Sequence, residues 1–69
     1  MTDISRDKLN EIIHRERNRL NQRLTVEVKC RFITHKDKQN ILAEYDEWAK
    51  TAHYKDTFYF AGESFELTL

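Results

Sequence analysis

A chain of 69 residues with no proline and a single glycine, Gly62, has few forced breaks. It holds no flexible linker, no low-complexity tract and no internal repeat. Its length makes one domain, without room for a second core. A domain of this size buries only roughly 60% of the surface that its unfolded chain exposes. Such scaffolds commonly gain stability from a disulfide, a metal, oligomerisation or a partner. Cys30 is the only cysteine, which rules out an intramolecular disulfide and fits a reducing compartment. The opening Met1-Thr2-Asp3-Ile4-Ser5-Arg6-Asp7 is polar and charged, unlike a signal peptide. Uninterrupted apolar runs stop at four residues, as in Phe58-Tyr59-Phe60-Ala61, so no membrane span and a cytoplasmic location are expected. Charged residues make up 35% of the chain, a level that alone would allow disorder, but eight aromatics and clear periodic patterns argue for a packed core.

The first pattern predicts a helix over Arg6–Gln22. Ser5 suits its N-cap, and Ile4 and Leu9 are spaced as a hydrophobic staple. Leu9, Ile12, Ile13 and Leu20 share one face, interrupted at its middle by Glu16. From Thr25 to Thr34 the pattern alternates: Val26, Val28, Cys30 and Phe32 point one way, Glu27, Lys29 and Arg31 the other. That predicts a half-buried strand, with Cys30 as a small core hydrophobe. A second helix follows from His35 or Lys36 to Ala52, with an apolar stripe of Ile41, Leu42, Tyr45, Trp48, Ala49 and Ala52. Thr34 can cap it, Asp37 suits its first turn, and Asp46 and Lys50 are placed as an i,i+4 pair. The tail reads as a hairpin: Phe58 and Phe60 share a face, as do Phe65, Leu67 and Leu69, with the turn in Ala61-Gly62-Glu63-Ser64. The expected fold is therefore a small α+β domain in the order α-β-α-β-β. Its three-stranded, mostly antiparallel sheet would carry both helices on one face.

Charge is sorted along the chain although its formal net value is zero. Residues 1–38 hold ten Lys/Arg and six Asp/Glu, residues 39–69 two and six. Within the basic half, Lys8, Arg15, Arg19 and Arg23 fall on one stripe beside the apolar face of the first helix. Spaced guanidiniums of this kind can follow an acidic protein groove or a phosphate backbone. They serve equally as a solvated flank with local pairs such as Glu11–Arg15 and Glu16–Arg19. Lys29 and Arg31 would extend the patch, and Tyr59 could stack on a base. Against nucleic acid stand the overall neutrality and the lack of a helix-turn-helix, RNP or Gly-x-x-Gly pattern. Glu16 would either stay wet beside Arg19 or face a basic group across an interface.

No arrangement suggests an acid, a base and a substrate cleft. Glu11-x-x-His14 has the spacing of a carboxylate–histidine metal motif, but His14 should face water and the further ligands are missing. Glu44, Asp46 and Glu47 read as a solvated face. Tyr45 and Trp48 read as core, whereas Tyr54 and Tyr59 lie off the stripes. The expectation is a protein-binding module without catalytic residues, metal or cofactor, of a size common among phage and mobile-element adaptors and inhibitors. It would modulate a larger protein by binding an acidic surface through Lys8, Arg15, Glu16, Arg19, Arg23, Lys29, Arg31 and Tyr59. Self-association of basic half to acidic half is a further expectation, nucleic-acid binding by the same helix the alternative, and a membrane partner is not expected. The final strand would offer an open edge for β-augmentation.

Overall fold

Helix α1 spans Arg6–Lys29 and α2 spans His35–Thr51, followed by strands β1 (Thr57–Phe60) and β2 (Glu63–Glu66). The computed structural model describes residues 4–69; the polar opening Met1-Thr2-Asp3 lies outside the described residues. Two helices and a two-stranded antiparallel sheet make a small α+β fold. Both helix starts are set by their capping residues. The Ser5 hydroxyl accepts from Lys8 N at 3.2 Å, and Ile4 packs against the core. At α2, Thr34 Oγ1 accepts from Asp37 N while Asp37 accepts from Thr34 N, both at 3.1 Å. This reciprocal capping box satisfies two otherwise orphaned donors.

The strand expected over Thr25–Thr34 does not form; α1 runs through Thr25–Lys29 instead. No glycine or proline interrupts the first helix, and Leu20 and Leu24 carry its apolar stripe one turn beyond Gln22. Thr25 turns its hydroxyl onto Asn21 O at 2.8 Å, and Arg23 pairs with Glu27 one turn later. These local bonds, with burial of Leu24 against the rest of the core, outweigh a β-branched alternation only a few residues long. As a result Cys30 and Phe32, expected inside, are exposed.

α1 ends in a Schellman motif. Phe32 N bonds Glu27 O and Arg31 N bonds Val28 O, each at 3.0 Å, with Arg31 at φ 64°. The chain then reverses, so that α2 returns antiparallel along α1. Lys38 Nζ reaches Thr25 Oγ1 at one end, Arg17 grips Asp46 with two bonds of 2.8 and 3.1 Å midway, and Arg6 reaches the Ala49 and Ala52 carbonyls at the other. Asp46 is thereby drawn to Arg17, and Lys50 pairs with Glu47 rather than with Asp46. The 24 residues of α1 span about 36 Å and set the long axis of a molecule 43 × 18 × 15 Å.

The hairpin covers one side of the helix pair. Its two-residue turn, Ala61-Gly62, has φ of 50° and 77°, and positive φ at both positions is the signature of a type I′ turn. Phe58 faces Phe65 and Phe60 faces Glu63 across the ladder. Phe65 and Leu67 are fully buried, together with Leu20, Leu24 and Tyr45. The last strand thus contributes side chains to the core, while its outer backbone edge, like that of β1, pairs with no further strand among the described residues.

Candidate interaction surface

Glu16 decides what becomes of the basic stripe. It lies one turn from Ile12 and Ile13 on the buried face of α1 and is only 2% exposed. A carboxylate taken from water must be paired, and two flanking guanidiniums do this. Arg15 Nε bonds one oxygen at 2.8 Å, and Arg19 Nη1 bonds the other. Both arginines are then tied to the hairpin. Arg15 Nη2 donates to Thr68 O at 2.7 Å, and Arg19 reaches Glu63 at 3.5 Å while its guanidinium lies over the Phe65 ring, 5.2 Å from the centroid. Arg23 completes the series, bonding Glu27 at 3.1 Å and Glu63 at 3.4 Å. Glu63 shares the inward-facing side of β2 with Phe65, so this acidic residue joins the hairpin to two arginines of α1. Arg15, Arg19 and Arg23 therefore act as a charged seam between α1 and the hairpin.

The same burial tunes Tyr45. Its hydroxyl donates to Ile13 O at 2.7 Å inside the core. Burial, aided by the negative charges of Glu16 and Asp46, pushes its pKa from 10.0 up to about 12. The unfolded chain ionises this phenol near pH 10 while the folded one keeps its proton. The associated stability is complete below pH 10 and is lost as pH rises toward 12, a change of about 3 kcal/mol. Tyr45→Phe should cost about 1 kcal/mol at neutral pH and flatten this part of the alkaline decline. Urea unfolding of both proteins across that range checks it; parallel alkaline curves would refute the assignment.

The eight residues expected at a binding surface do not form one patch. Lys8 is exposed near the start of α1, beside a shallow pocket shared with Glu11, Ile12, Arg15 and Leu69. Lys29 lies about 32 Å away along the same helix. Tyr59 stands on the outer face of the hairpin, 75% exposed. Tyr54 packs partly buried against the core. Lys29 and Arg31 come together at the turn between α1 and α2, where both are exposed.

That corner concentrates what the sequence had distributed. Lys29, Arg31 and Lys36 are exposed and have no ion-pair partner among the described residues, whereas Asp37 is engaged in the capping box. Between these cations stands Phe32, 77% exposed, with Val26 at 55% one turn back along α1. In a Schellman motif the residue in the position of Phe32 commonly packs against the one in the position of Glu27. Here that residue is charged, and Phe32 and Val26, the apolar residue before Glu27, both stay exposed. Sequence reasoning placed Phe32 in the core and passed over Lys36. The signal that could have found both was the unbroken helix up to Lys29, which leaves Cys30–Ile33 as a corner rather than a strand.

No three His, Cys, Asp or Glu side chains come together as a metal-ligand set among the described residues. Nor, among them, is any helix long and apolar enough to cross a membrane. Comparison of the chain with known family models, with curated proteins and with solved structures gives no match, so the functional reading rests on the chemistry of this surface.

Proposed function

We propose that this protein is a non-enzymatic binding module that attaches to an acidic surface of a larger protein and modulates it. The contact is made by the α1–α2 corner. Phe32 is the apolar anchor, and Lys29, Arg31 and Lys36 are its basic rim. The observation that carries this reading is the 77% exposure of Phe32 beside cations that have no ion-pair partner among the described residues. An aromatic anchor within a polar rim is the usual anatomy of a protein interface, and arginine is enriched in such contacts. The α1 stripe contributes less, since Arg15, Arg19 and Arg23 are engaged with Glu16, Glu63, Glu27 and Thr68.

Affinity purification of the tagged chain from its native host, with and without nuclease, tests the proposal. The expected result is a nuclease-resistant protein partner that is lost with both Phe32→Ala and the double change Lys29→Glu/Arg31→Glu. Retention of the partner by both variants refutes it. Nucleic acid is the second reading, favoured by one observation: an exposed ring beside three cations without ion pairs among the described residues is also a base-stacking platform. It predicts binding to a random single strand, with log K falling against log salt by roughly 0.7 per neutralised phosphate. Absence of binding at low salt removes it.

A further inference from the structure

The core is closed on one flank and open on the other. Along α1 and β2, Leu20, Leu24, Phe65 and Leu67 are fully buried. Along α2 and β1, Ile41, Trp48, Phe58 and Phe60 pack against the core but remain partly exposed. An aromatic cluster lies at this margin, with Phe58 5.2 Å from Tyr45 and 5.4 Å from Trp48 between ring centroids.

The backbone is open on the same flank. A two-residue turn makes Phe60–Glu63 and then Phe58–Phe65 the hydrogen-bonded pairs of the ladder. The alternation continues at Leu67, whose N–H bonds Asp56 O at 2.9 Å. The N–H and C=O groups of Thr57 and Tyr59 therefore point away from β2, and no turn, loop or cap bond reaches them among the described residues. Sheet edges are normally guarded by lysine, proline or an internal bulge. Thr57-Phe58-Tyr59-Phe60 has none of these, and its only protection is its length of four residues. Lys55 and Asp56 both bond Leu67, and this bulge, with Lys55 at φ 75°, ends the regular edge.

We propose that β1 pairs with β1 of a second copy of this chain, antiparallel across a two-fold axis at Phe58. In that register Thr57 of each copy exchanges both backbone bonds with Tyr59 of the other, so four bonds satisfy both edges. The two Phe58 residues then sit opposite each other as a non-hydrogen-bonded pair, where side chains approach most closely. The two open aromatic margins close on one another, beneath a four-stranded sheet on four helices. Charge favours the same occupant: the strand carries no charged side chain and the chain has a formal net charge of zero, so like copies do not repel. The interface is isologous, the commonest arrangement among soluble oligomers. It does not involve Phe32 and is independent of the partner reading above.

Sedimentation of the full chain from about micromolar to about millimolar concentration is the test. The wild type should reach twice the 8.4 kDa chain mass. The change T57K/Y59K sets like charges opposite each other on the outer face and should give a monomer with an unchanged helical circular-dichroism signal. Phe32→Ala should still dimerise. A wild type that stays monomeric throughout overturns the proposal, as does a dimer that survives T57K/Y59K. Should that variant unfold, amide exchange in the wild type decides. The Thr57 and Tyr59 amides should slow at least tenfold as the dimer forms, and a dimer in which they exchange as fast as in dilute solution overturns the pairing.

Discussion

Glu16→Lys is expected to cost about 3–5 kcal/mol, enough to unfold much or all of the population. The position is sealed, and its two partners, Arg15 and Arg19, are both cations. A lysine there would be a buried charge facing two like charges. Stability at this length is only about 3–10 kcal/mol, so the loss is a large share of the total. Glu16→Leu is the informative contrast. Leucine continues the stripe of Leu9, Ile12, Ile13 and Leu20, and it frees Arg15 and Arg19, each about half-exposed, to turn into water. Replacing a buried ionic group with a well-packed apolar one is often neutral or stabilising. Urea denaturation followed by circular dichroism should therefore place Glu16→Leu within about 1 kcal/mol of wild type and Glu16→Lys far below it. A large loss with leucine would mean that the ionic network itself holds the hairpin to α1.

Phe65→Ala should be comparably severe, at about 3–5 kcal/mol. The ring is fully buried opposite Phe58 and forms the surface on which the Arg19 guanidinium rests. Its loss opens a cavity between the hairpin and α1 and removes the platform of the charged seam. Truncation after Glu66 should act in the same direction, because it deletes Leu67, fully buried, and Thr68, whose carbonyl anchors Arg15. The readout is the far-UV helical signal together with the unfolding midpoint. A truncated chain that keeps its helical signal but loses a partner would return the last strand to the role of a docking edge.

Part of this fold was legible because the information is local. Ser5, and Thr34 with Asp37, satisfy N–H groups within three residues of themselves, so both helix starts follow from a few side chains. The hairpin turn was legible in the same way, since Gly62 accepts positive φ without strain. The candidate site was less accessible. The sequence pattern marks Lys29 and Arg31 as basic support but assigns Phe32 beside them to the core. Val26, Val28, Cys30 and Phe32 satisfy a two-residue period as well as Leu20, Leu24 and Val28 satisfy a helical one. The choice between them depends on what Leu24 packs against, and that partner lies elsewhere in the chain.

The sequence by itself determined two amphipathic helices, a terminal hairpin, a basic first half and an acidic residue set in an apolar stripe. These follow from capping, periodicity and composition, which act over one or two turns of chain. Only the tertiary structure decided where α1 ends, whether Glu16 meets water and what the arginine stripe does. Each of those depends on a residue far along the chain: Thr68 for Arg15, Glu63 for Arg19 and Arg23, and the hairpin that covers Glu16. Charge pairing is set by distance in space: Asp46 and Glu63 of the acidic half reach Arg17, Arg19 and Arg23 of the basic half, while Glu16 and Glu27 pair with arginines of α1 itself. At the corner, Lys29, Arg31 and Lys36 stay exposed beside Phe32 without an ion-pair partner among the described residues.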